Sequence, residues 1–189
     1  MVRLLLAAIL AFGFVVSHVA YDEAAADFDG LVPSANLTGP STTVVAQALA
    51  EPPLVPTPGE LELFTLTNND RARAGLASLS FDLDVLALAR ERGVAQKDGS
   101  TLSHYDASGQ LAFVKLLTGN EVPYVRAGEN LARVPLPQAS AADRAEQALM
   151  QSPTHRANIL QPEFDRIAIG EATDAAGRIV FVQLFRTAH

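Results

Sequence analysis

Residues Asp165–Arg186 read DRIAIGEATDAAGRIVFVQLFR. Two runs rich in Ile, Val and Phe alternate with small or polar residues, and TDAAG, Thr173–Gly177, separates them. A period of two on either side of a Gly-bearing connector marks a β-hairpin. Upstream the period changes. PGELELFTLTNNDRARAG, Pro58–Gly75, reads as a helix with Leu61, Phe64 and Leu66 inward and Gly75 as its stop. FDLDVLALARERGVAQKDG, Phe81–Gly99, sets Phe81, Val85, Leu88 and Ala89 at helical spacing. ADRAEQALMQ, Ala142–Gln151, is a third helix, ending before Pro153. Helices first and an antiparallel hairpin last define an α+β domain with helices packed on a sheet.

The chain has 189 residues, 49% of them hydrophobic and 19% charged, which suits one domain with appendages. A net charge of −7 lacks the electrostatic footprint of a nucleic-acid binder. Cysteine is absent, so disulfides, thiolate metal sites and a cysteine nucleophile are excluded. MVRLLLAAILAFGFVV places Arg3 ahead of an apolar run, Leu4–Val16, of signal-peptide length. That run is short of the roughly 17–25 residues that span a bilayer. Cleavage after Ala20 puts His18 where a small residue is preferred. Cleavage after Ala26 fits better but lies farther from the apolar run. The expectation is export to the periplasm or beyond, with the segment either removed or kept as a membrane-engaging anchor. Tyr21–Pro56 then has five acidic residues and no Lys or Arg, and it runs out in the proline-rich stop EPPLVPTPGE, Glu51–Glu60, which leads into the next helix. The expected division is therefore 1–20 as signal peptide or anchor, 21–56 as an acidic disordered linker, and 57–189 as the folded domain. The NLT tripeptide at Asn36 and a docking segment around TTVVAQALA are the minor features of that linker.

Only four histidines occur, and His18 and His189 lie outside the expected domain interior. His155 sits in SPTHRANIL, where Ser152 and Pro153 read as N-cap and first residue of a short helix. The positive end of that helix and neighbouring Arg156 disfavour imidazolium, and a neutral imidazole suits a metal ligand or a base. His104 lies in the loop-like stretch TLSHYDASG, and Glu129 in AGENLA, where a carboxylate could also cap backbone amides. Two imidazoles and a carboxylate suit a divalent ion with open positions, or a metal-free base pair. Their spacings of 25 and 26 residues match no ligand motif. HExxH, G-x-S-x-G and a phosphate-binding loop are absent. Ser103 beside His104 is a poor nucleophile–base pair, and Arg71 and Arg73 read as a solvated or capping face.

LFTLTNNDRARAGLASLSFD, SHYDASG, GENLA, SPTHRANIL and FDRIAIG…FVQLF occur in an order that resembles the CAP superfamily. This is the family of cysteine-rich secretory, antigen 5 and pathogenesis-related 1 proteins, also called SCP domains. The likeness runs over Glu60–Arg186 and is to the cysteine-free bacterial branch. It implies an α-β-α sandwich around a small, mainly antiparallel sheet. It also implies a cleft in which His104, Glu129 and His155 take the family positions, with zinc the metal such a set suits best. Two departures stand out. Leu149 occupies the place of a family tryptophan, which puts Ser152 where eukaryotic members have a second cleft glutamate, with Glu146 or a water as the substitute. The usual proline near GLASL is also missing.

Two functions follow. One is an exported, non-catalytic module holding a lipid, a cell-envelope glycan or a protein. The other is a metal-dependent, peptidase-like hydrolase in which His104, Glu129 and His155 hold the ion that activates water. A plain structural spacer would leave the cleft residues unexplained. Fold alone does not choose between them.

Overall fold

The structure is a computed structural model that describes residues 18–21, 54–135 and 140–188. The apolar run Leu4–Val16, Asn36, TTVVAQALA and His189 lie outside the described residues.

The domain opens where the proline-rich stretch ends. Helix α1, Pro58–Arg73, starts with a capping box: Glu60 N–H donates to Thr57 Oγ1 at 3.1 Å and Thr57 N–H donates to Glu60 Oε2 at 2.8 Å. Gly75, at φ +73°, supplies the left-handed residue that ends it. The buried face differs from the expected one. Leu61 is 46% exposed, whereas Glu60, Leu63, Thr67 and Arg71 point inward at three- and four-residue spacing. Phe64 and Leu66 are half-buried, as an apolar flank to that stripe. Polar residues on the inner face obscured the period, because each is satisfied by a partner rather than by water.

Strand β1 is His18–Tyr21 and β2 is Ser80–Phe81, so Phe81 belongs to a strand and not to the second helix. Helix α2, Leu86–Lys97, follows, then α3, Ala112–Gly119, and β3, Arg126–Val134. Helices α4, Ala141–Gln151, and α5, Pro153–Ile159, precede the hairpin β4, Arg166–Thr173, and β5, Ile179–Thr187. The sheet order is β1-β3-β5-β4-β2, with β2 parallel to β4 and the other neighbours antiparallel. Asp174 fixes the hairpin turn, its Oδ1 accepting from the backbone N–H of Ala176 and Arg178 at 2.9 Å each.

Alternation along the central strands divides two cores. Ile167, Ile169, Phe181 and Phe185 face α1, α4 and α5 through Leu63, Ala145, Leu149 and Ile159. Ala168 and Leu184 face α2 and α3 through Leu88, Ala89, Phe113 and Leu117. Helices therefore cover both sides of the sheet, as in an α-β-α sandwich. Gly170 lets α2 lie directly on β4, since a Cβ there would collide with the backbone of Ala89.

Candidate functional site

The candidate residues are set by β3 and what packs on it. Its run from Ala127 to Ala132 is buried on both faces, so adjacent residues point into different layers. Glu129 shares its parity with Ala127 and turns toward α2. Asn130 turns toward α5. This placement removes the amide-capping role that the sequence allowed for Glu129.

Helix α2 presents Leu88, Ala89, Arg92, Gly93 and Gln96 as its buried stripe. Arg92 is the residue that meets Glu129: Nε lies 2.7 Å from Oε1 and Nη2 3.2 Å from Oε2. This two-point pairing is the strong geometry of guanidinium and carboxylate. Arg92 Nη2 also donates to the Ser103 carbonyl at 2.9 Å, which ties down the loop that carries His104. The Ser103 N–H donates to Gln96 Oε1 at 2.8 Å, and Ala112 N–H at the start of α3 donates to the His104 carbonyl at 2.8 Å. Held in this way, His104 Nδ1 lies 2.6 Å from Glu129 Oε2. The side chains of Arg92, Glu129 and His104 are 5%, 0% and 1% exposed. A carboxylate held by a guanidinium and in contact with Nδ1 fixes the orientation of the imidazole ring. Ser103 Oγ is engaged with the backbone of Tyr105, so it is no partner for His104.

His155 belongs to the other layer. It is fully buried in the first turn of α5, with Ser152 extended at the N-cap but making no capping bond. The carbonyl of His155 accepts from Asn130 Nδ2 at 3.1 Å, and Asn158 Nδ2 donates to Asn130 Oδ1 at 2.9 Å and to the Glu129 carbonyl at 3.3 Å. Asn130 Nδ2 reaches Gln183 Oε1 at 2.8 Å, and Gln183 Nε2 reaches Thr67 Oγ1 and Glu146 Oε2 at 2.8 and 2.9 Å. A polar line thus runs from α5 through β3 and β5 to α1 and α4. Glu146 is its terminus. Burial, with a smaller push from Asp70, drives its carboxyl up to about 8 against the hydrogen bonds from Thr67 and Gln183. Glu146 also lines a surface cavity with Asp70 and Asp143.

The structure brings His104 and Glu129 into contact, and it connects His155 to their strand through a carbonyl. Both oxygens of Glu129 are taken by Arg92 and His104, and a cation bound there would face the guanidinium. As these side chains stand, the expected three-ligand set does not fit a divalent ion. Among the described residues no group of three or more His, Asp or Glu side chains is placed to hold one. Glu129 is placed as the carboxylate that orients the imidazole of His104, a supporting role. Sequence reasoning missed Arg92. Its signal was an arginine at the i+3 and i+4 positions from Ala89 and Leu88, on an otherwise apolar helix face.

The fold agrees with comparison to known proteins. The chain belongs to the CAP family of cysteine-rich secretory proteins, whose sequence profile matches residues 64–185. It is 30% identical over 111 residues to the uncharacterised protein YkwD of Bacillus subtilis, a match covering 59% of this chain and 41% of that one. A solved extracellular protein of Bacillus anthracis with an SCP domain is 29% identical, with a TM-score of 0.57 over 68% of this chain and 40% of that chain. The chain thus spans about two fifths of the length of these two relatives. An outer surface protein of Borrelia burgdorferi shares the fold at 18% identity, with a TM-score of 0.61 over 71% of this chain and 97% of that one.

Proposed function

We propose that this CAP domain is an exported binding module, and that Arg92, Glu129 and His104 form a rigid buried support for its ligand-binding region instead of a hydrolytic centre. The observation that carries the reading is the full engagement of Glu129 by a guanidinium and an imidazole at near-zero exposure. Catalytic acids and bases need a proton-transfer path to substrate, and a carboxylate locked on both oxygens offers none. The extracellular relative of Bacillus anthracis and the outer surface protein of Borrelia support export. The ligand is an envelope lipid, glycan or protein.

One observation favours the metal-dependent hydrolase as a second reading. The Glu129–His104 pair orients the imidazole as metal-ligating histidines are oriented. Calorimetric titration of Zn²⁺ into the full chain decides between the two, with His104→Ala and His155→Ala beside it and folding checked by circular dichroism. The binding-module reading expects no saturable heat and no chelator-sensitive peptide hydrolysis. Saturable binding that both variants abolish, together with such turnover, would overturn it.

A further inference from the structure

The outer edge of β3 lies beside the residues just described, and it is occupied by backbone. His18, Val19, Ala20 and Tyr21 pair antiparallel with Glu129, Gly128, Ala127 and Arg126. This short strand comes from far outside residues 64–185, the span that matches the family. It covers four of the nine residues of β3, and β3 is the last strand of the sheet on that side apart from it. An edge strand presents a row of N–H and C=O groups that pair with any extended chain of suitable register. Pairing of β3 with β5 runs unbroken over all nine residues, so no bulge twists this edge away. No proline interrupts Arg126–Val134 either.

We propose that the β3 edge is a strand-acceptor site for an extended peptide, that His18–Tyr21 is its resident occupant in the unprocessed chain, and that removing this segment opens the edge to the same peptide in trans. Main-chain pairing would supply the affinity, as in other sheets that bind peptides by adding a strand. The inference rests on the binding-module reading and names its ligand class. It also links the two fates of the apolar run Leu4–Val16 to access. Cleavage after Ala20 takes away three of the four pairing residues and cleavage after Ala26 all of them, whereas a retained anchor keeps the edge covered.

The test uses the full chain and the fluorescein-labelled peptide Val16–Glu23. Val19→Pro with Ala20→Pro removes two of the four N–H groups of the resident strand, one of them facing β3 whichever way the alternation runs. The β1-facing amides of Arg126–Glu129 then exchange hydrogen at least about tenfold faster than in the parent, and the peptide binds the variant at least about tenfold more tightly, because a tethered strand competes at millimolar effective concentration. Tyr21→Cys with Arg126→Cys is the second arm. These positions are opposite one another, no native cysteine competes, and directly paired antiparallel residues lie within disulfide reach. An intramolecular disulfide forms in that variant and peptide binding is lost. Unchanged exchange in the proline variant, absence of the disulfide, or no peptide binding once the edge is exposed would each overturn the proposal. None of these readings depends on zinc, so the proposal can fail while the calorimetry still upholds the binding module.

Discussion

Glu146→Gln isolates the one buried acid among the described residues whose protonation is displaced into the neutral range. Folding holds the Glu146 proton up to about pH 8, because burial disfavours the carboxylate and Asp70 adds its charge. In the unfolded chain the same group loses its proton near the ordinary glutamate value of about 4.3. Between those two points the folded state binds a proton that the unfolded state has released, so stability falls as pH rises and levels off above about 8. Gln is neutral throughout and keeps an oxygen toward Thr67 and Gln183. From about pH 5 to about pH 9 the variant should therefore gain on the parent by up to about 4 kcal/mol, taking 1.36 kcal/mol per unit. Urea denaturation of both proteins near pH 5, 7 and 9 reads this directly. The two should unfold at similar urea concentrations in the acid sample and diverge in favour of Gln in the alkaline one. A stability difference that stays constant across the three samples would refute the assignment of the displaced proton to Glu146.

Three further substitutions test the frame around the site. Arg92→Met strands Glu129 without its cation and should lower stability by about 3–5 kcal/mol in denaturant titration, with Arg92→Met/Glu129→Gln recovering part of the loss. Gly170→Ala drives a methyl group into the Ala89 backbone and should cost about 3 kcal/mol or more, seen as a lowered Tm with α2 and β4 exchanging hydrogen early. Arg71→Lys should cost about 2 kcal/mol in the same titration, because no ammonium can reach the carbonyls of Ala77, Ile159 and Gln161 together as the guanidinium does at 2.8–2.9 Å. A loss below about 0.5 kcal/mol would show that Arg71 is the solvated residue its sequence context suggested.

The hairpin, α2 and α4 were legible because apolar residues keep the period on one face of each, whereas α1 was legible from its ends, Pro58 and Gly75. The start of α1 was legible from the proline stop before it, and Thr57 is its N-cap in a capping box. Four elements were not, β1 among them, since His18–Tyr21 falls at the end of the apolar N-terminal segment. Strand β3 is sandwiched by both layers, so GENLA shows no alternation, and its Glu and Asn are kept inside by Arg92 and Asn158. Strand β2 is two residues long, too short for any period. Helix α3 carries a usable signal in Phe113 and Leu117, four residues apart, but it was hidden beside the loop pattern of SHYDASG. Arg71 was misread for a related reason: one turn of helix separates it from Thr67, and a buried guanidinium with carbonyl partners looks in sequence like a surface one.

The same physics explains why motif order did not give the spatial relations of Glu129, Asn130, His104 and His155. Glu129 and Asn130 are neighbours in GENLA, and a strand sends neighbours to opposite faces. The glutamate is thereby committed to the α2 layer with His104, and the asparagine to the α5 layer that holds His155. The partner that fixes Glu129 comes from α2, in the stretch ALARERG that none of the five family-like segments contains. A guanidinium there converts a carboxylate that could have ligated a cation into one that cannot do so without losing its ion pair. Whether a CAP domain of this kind can bind metal through its glycine-flanked glutamate therefore turns on the inward residue of α2 opposite it, as much as on the histidines. Replacing Arg92 by a neutral residue is the change that would free Glu129 to act as a ligand, and a gain of Zn²⁺ affinity in Arg92→Met over the parent would show that the arginine holds that role shut.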